Sequence, residues 1–190
     1  MAVDAQGYDD LQESDATAAR LFRRALELDP AYAAPHAGLA DVFLYGVPLS
    51  FEARMDSAAY HARRAIELGP HLPDGYAALA RMHAVRGVRD LSALQMRRAL
   101  ELDPNHVEAL AGLARHHLHR LQVAEAADLA RRLVQVAPEE GLGQHILFLI
   151  HVLIGDDEGA AVWLRRGSEL VQDASPLTIF DMFRALRGDD

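Results

Sequence analysis

The octapeptide RRALELDP occupies residues 23–30 and recurs, unchanged, at 97–104. A near copy, RRAIELGP, fills 63–70, and weaker ones, RRLVQVAP and RRGSELVQ, begin at 131 and 165. The closing residues Pro30, Pro70, Pro104 and Pro138 lie 40, 34 and 34 apart, which defines a 34-residue unit with one six-residue insertion. Such a period confines the chain to a row of small supersecondary units. One unit of this size cannot bury its own apolar face, so neighbours must stack.

Each unit reads as two amphipathic helices. In the third, Tyr76, Leu79, Ala80 and His83 fall at i, i+3, i+4 and i+7, one face of a helix. Gly87 ends that helix and Asp90 is placed to cap the next. The second helix is expected to bury Leu94, Met96, Ala99, Leu100 and Leu102 before Asp103 and Pro104 stop it.

The rest of the composition excludes several functions. The chain has 190 residues and no cysteine, which removes disulfides, thiolate metal sites and cysteine nucleophiles. Its formal charge of −9 argues against nucleic acid as a partner. All 19 basic residues are arginine, a bias expected of a GC-rich bacterial gene. The acidic start, MAVDAQGYDDLQESD, is unlike a secretory signal, and the apolar run HILFLIHVLIG is too short to span a bilayer. A cytoplasmic protein with no membrane partner is the expectation.

The repeat resembles the tetratricopeptide (TPR) family. The family pattern appears in the second unit as His36, Leu39, Ala40, Phe43, Ala58, Ala62, Ala65 and Pro70. The third gives Tyr76, Leu79, Ala80, His83, Ser92, Met96, Ala99 and Pro104. The fourth gives Leu110, Leu113, Ala114, His117, Ala126, Ala130, Leu133 and Pro138. The first keeps only its second half (Ala18, Phe22, Ala25, Pro30), and the fifth drifts, with Phe148 in place of a small residue. The resemblance implies an all-α, right-handed superhelical solenoid of antiparallel helix pairs. The expected organisation is a single array over 1–190: a half unit at 15–30, units at about 33–70, 73–104, 107–138 and 141–172, and a closing helix at about 175–187. The insertion is expected between the helices of the second unit, around YGVPLSFEARM.

The resemblance also implies a concave groove lined by the first helices. Carried onto this chain, its positions are Asp41, Leu44 and Tyr45; Asp74, Ala77, Arg81, Ala84 and Val85; Glu108, Ala111, Arg115, Leu118 and His119; and Leu142, His145, Leu149, Val152 and Leu153. Ala77 and Ala111 would form a small-residue floor, with Arg81 and Arg115 as anchors for an acidic group on a bound segment. The apolar end at Leu149, Val152 and Leu153 is expected under the closing helix, against Ile179, Phe180 and Phe183.

The arginine pairs have a bland use. They sit near the ends of second helices, where a cation suits the helix dipole, and Arg23, Arg63, Arg97 and Arg165 each precede a glutamate by four residues. A basic ladder facing an acidic partner is the alternative use. Ten histidines invite a metal reading, but His83, His117 and His151 occupy equivalent positions one repeat apart, too far for one ion to bridge. They are expected to pack at helix interfaces; a site at His116 and His119 is the remote alternative. Protonating all ten would carry the formal charge from −9 to about +1, so a pH-responsive interaction stays open. The lone G-x-G in GLGQH lacks the context of a phosphate loop. The expectation is therefore a non-catalytic scaffold or adaptor without cofactor, binding a protein or peptide segment. Two alternatives stand beside it. One is the regulatory TPR portion of a larger bacterial signalling protein such as a cyclase, kinase or transcription regulator; the other, more remote, is a histidine-metal site, and a homo-oligomer stays open.

Overall fold

The computed structural model describes residues 5–46 and 50–168. Among them nine α-helices follow one another and no strand occurs. They are α1 (Ala5–Leu28), α2 (Ala33–Asp41), α3 (Phe51–Leu68), α4 (Pro73–Val85), α5 (Arg89–Leu102), α6 (Val107–His119), α7 (Val123–Val136), α8 (Leu142–Ile154) and α9 (Asp157–Ser168). The expected closing helix and the end of the fifth unit lie outside the described residues. The chain forms two compact units, Met1–His106 and Val107–Asp190.

In the first unit α2 packs on α3 and α4 on α5, while α3 also packs on α4. The repeat phase explains the pairing, because the residues at its apolar positions are the buried ones. Met55, Ala58, Ala62 and Ala65 of α3 join Ala37, Ala40, Leu44, Leu79 and Met82 in one core cluster. Alanine dominates the seams, so the helices approach closely and longer side chains fill what remains. Gly38 shows how close: a Cβ added there would lie 2.3 Å from the ring of Phe22. In the second unit α6 pairs with α7, α8 with α9, and α7 with α8. Leu110, Leu113 and Ala114 bury from α6, and Ala126, Ala130 and Leu133 from α7.

Some local expectations are corrected. Asp90 lies in the first turn of α5 and Val88 holds the cap position; the carboxylate there still faces the positive end of the helix. Leu94 is 54% exposed, and Ser92 and Ala93 take its place in the core. Leu94 and Met96 stand two residues apart, about 200° around a helix, so they cannot share a face, and Met96 with Ser92 and Ala99 takes the buried one. Nor is the six-residue insertion simply loop. Part of it lengthens α3 to 18 residues, four more than α5 or α7, with Ser50 capping its start. On the other side α2 runs into a π-helical turn, Val42–Gly46. Arg54 of the extra turn donates to the Leu44 carbonyl, supplying a partner to backbone whose regular ladder is interrupted.

The first helices of three units end alike. Val88, Gln122 and Asp156 each donate a backbone N–H to the carbonyl of His83, His117 or His151, at 2.9 Å in every case. This closure puts the preceding residue in the left-handed region. Gly87 (φ +77°) and Gly155 (φ +76°) take that conformation, but the residue between them, one repeat from each, is Leu121 (φ +57°). Leu121 is also 70% exposed, so it gains little from burial. A leucine there carries strain that glycine does not. Leu121→Gly should raise stability by about 0.5–1 kcal/mol after allowing for the looser unfolded chain. Chemical denaturation checks this; an unchanged or lower stability would show that the turn bears no strain.

Candidate functional site

The first-helix residues nominated by sequence separate into two classes. Leu44, Ala77 and Ala111 are buried. The expected small-residue floor at Ala77 and Ala111 is therefore corrected: both side chains are fully enclosed by packing and present no surface to a ligand. Tyr45, Asp74, Ala84, Val85, Glu108, Arg115, His119, His145 and Leu153 are exposed, while Leu118, Leu142, Leu149 and Val152 are half-buried.

Asp41 and Arg81 are brought together. Arg81 Nε donates to Asp41 Oδ1 at 2.7 Å and a terminal nitrogen donates to Oδ2, a two-pronged pair joining α2 to α4. The Arg81 side chain is only 16% exposed. The cation expected to hold a ligand's acidic group thus already holds one from its own chain. Desolvation raises the Asp41 pKa, and Asp74 adds to the rise; the Arg81 guanidinium works against both. At the start of α4, Asp74 Oδ1 lies 3.6 Å from Nε2 of His106, which precedes α6. In the second unit α6 carries Glu108, Arg115 and His119, and α8 carries His145; Arg115 makes no ion pair among the described residues.

The arginine pairs also differ in register from expectation. Their second members make the contacts, at i,i+3: Arg24 to Glu27 at 2.6 Å, Arg64 to Glu67 at 3.0 Å and Arg98 to Glu101 at 2.6 Å. In the fourth unit Arg131 turns back to Asp128. Residues three and four apart are both neighbours on a helix, so one glutamate faces both arginines and serves the second. Glu169 lies outside the described residues.

The histidines at the repeated position belong to the helix ends just described. His117 Nδ1 lies 3.0 Å from Gln122 Oε1 and His151 Nδ1 lies 2.7 Å from Asp156 Oδ2. In the third unit the corresponding residue is Val88, which offers no such group. Among the described residues no group of three or more histidine or acidic side chains is placed to hold a metal ion.

Sequence reading missed another pair. His36 on α2 and His61 on α3 set their Nδ1 atoms 2.9 Å apart, with Phe43 stacked on His61 and Tyr60 edge-on to it. The spacing of 25 residues hid the contact; the only signal was a histidine at the family's large first-helix position. Burial and the positive charges of His36 and Arg23 lower the His61 pKa to about 4, and burial with Arg64 lowers that of His36. Both rings are then neutral near pH 7, so one Nδ1–H donates to the other Nδ1.

Solved structures of low sequence identity share this fold. PilW, a type IV pilus biogenesis factor, superposes with a TM-score of 0.71 at 18% identity, covering 97% of this chain and 80% of that one. The pilF protein of Pseudomonas aeruginosa gives 0.69 at 16%, covering 96% and 87%. YrrB, a TPR protein with an unusual peptide-binding site, gives 0.57 at 18%, covering 87% and 80%. No family model matches the sequence, and no curated protein does.

Two tests follow from this geometry. Asp41→Ala leaves the Arg81 guanidinium without its carboxylate and should cost about 1–3 kcal/mol, read from the thermal midpoint. A loss under a few tenths would mean that the pair is fully screened. For His61, the folded-state pKa is depressed below the ordinary 6.5, so its stabilising contribution is complete above about pH 6.5 and is lost as pH falls toward about 4. His61→Phe should therefore flatten the fall of the thermal midpoint across that interval. Parallel curves for the variant and the wild type would remove the histidine pair as the cause.

Proposed function

We propose that this chain, which has the all-α helix-pair fold of the tetratricopeptide repeat proteins, is a non-catalytic scaffold for a protein or peptide segment. The observation that carries the reading is the division of labour on the first helices. Small side chains are spent in the seams, while large polar and aromatic ones stay at the surface: Tyr45 (61% exposed), Asp74, Glu108, Arg115, His119 and His145. Short segments laid along such helices meet charge and ring surface on a backbone already held rigid, which lowers the ordering cost of binding. Arg115 is the cation for an acidic group on the segment. Arg81 reaches such a group only in exchange for Asp41.

The formal charge of −9 disfavours nucleic acid as the partner. Among the described residues no helix is long and apolar enough to cross a membrane. The working picture is a single array in the cytoplasm, with no cofactor, whose partner is another protein or a second copy. The same scaffold serves a regulatory role when joined to a signalling domain.

Arg115→Glu supplies the test. Immobilised wild type and variant are exposed to the same lysate, retained proteins are identified, and binding is then measured with the purified partner segment. The expected result is a partner that binds wild type at least about tenfold more tightly than the variant, with unchanged helicity in both. Equal retention by both forms would remove Arg115 from the binding surface, and retention of nothing would count against a scaffold.

A further inference from the structure

We propose that the first unit carries a second docking site, for an acidic peptide segment, in a cleft on α3 and the end of α4. It is separate from the first-helix residues assigned above, and it goes beyond that reading. The cleft has a volume of about 340 Å³, enough for a few side chains, and is lined by Asp56, Tyr60, Arg63, Arg64, Glu67 and Arg86.

Three guanidiniums thus face two carboxylates. Arg64 is held by Glu67 at 3.0 Å. Arg86 stands 3.3 Å from Asp56 and 3.5 Å from Glu52, at the long end of ion-pair contact. Arg63 is exposed. With Glu52 at the rim, three cations meet three acids, and Arg63 is the cation left without an ion pair among the described residues. The surroundings agree with that sign. Beyond desolvation, the charges acting on the adjacent His83 are those of Arg63 and Arg86, and both lower its pKa.

This chemistry selects the occupant. A carboxylate seats in the fork of Arg63, where guanidinium geometry offers two parallel donors. The Tyr60 ring, 61% exposed, gives a flat face for an aromatic or aliphatic neighbour. Asp56 and Glu67 at the sides accept N–H groups, which a peptide backbone has and a phosphodiester backbone lacks. An acidic peptide meets the cation at one point and turns donors to the acids.

The experiment uses fluorescence anisotropy with a labelled decapeptide of alternating glutamate and tyrosine, against the full chain at low salt. Saturable binding is expected, weakened by added salt and reduced at least about tenfold by Arg63→Glu and several-fold by Arg63→Ala. Arg63 is exposed, so both variants should keep wild-type helicity by circular dichroism. Arg115→Glu should leave the Arg63-sensitive component of this binding unchanged, which separates failure here from failure of the first-helix site. No saturable binding would overturn the proposal. Equal binding by Arg63→Glu, or loss in Arg115→Glu alone, would also overturn it, as would tighter binding of an oligothymidylate of similar length.

Discussion

Close approach of helices along alanine seams is the constraint on which the rest of this structure depends. Ala58, Ala62 and Ala65 on α3, and Ala126 and Ala130 on α7, are almost wholly buried, yet each brings only a methyl group to the interface. Stability must then come from many short contacts made by correctly spaced helices, with a few large residues such as Met55, Met82, Leu110 and Leu133 filling the gaps. Spacing is kept by the features that recur with the period: glycine where a ring or backbone comes close, and a left-handed residue where the first helix stops. Gly38 under the Phe22 ring and Gly159 beside the His151 ring are the tightest of these approaches.

The same constraint explains what could be read from sequence. Pairing and phase were legible because proline spacing and alanine position repeat over long stretches. Side-chain fate at a given level was less so. Leu94 reads as core by hydropathy, but it lies about 200° around the helix from Ser92 and Met96, which face the seam, so it points outward. Ala77 and Ala111 read as an open floor for the converse reason: smallness suits a groove and an interface equally, and here it serves the interface. The glutamates of the arginine repeats lie beside both arginines, and sequence could not tell which one wins. The π-helical turn and the extra turn of α3 are a joint solution to six added residues, with Arg54 reaching back to Leu44. Nothing in the local pattern specifies such a tertiary bond. His36 and His61 illustrate the same limit, since their meeting depends on the packing of α2 on α3.

Charge is distributed by a related economy. A chain with 19 arginines and 28 acids has enough partners to neutralise most cations locally, and several helices do so at a spacing of three residues. Exposed pairs of that kind contribute little to stability. They matter more for what they remove from recognition, because a paired guanidinium presents little field to a partner. The informative arginines are those whose neighbours leave charge over.

Arg81 and Arg63 are opposite cases. Arg81 lies on a first helix, where resemblance to a peptide-binding family nominates it, but Asp41 holds it in two-pronged fashion and most of its surface is buried. A ligand carboxylate seeking Arg81 must displace one already desolvated and aligned, so it recovers only the difference between two similar interactions. Arg63 lies on a second helix, where sequence favoured a solvated face over a basic ladder for an acidic partner. Its glutamate, four residues on, bonds to Arg64 instead, and the charge is left facing a cleft with an exposed tyrosine. Binding free energy is greatest where the free protein has not already satisfied the group that the ligand seeks. By that criterion the outer cleft, more than the Asp41–Arg81 pair, is where an acidic segment gains most from the first unit.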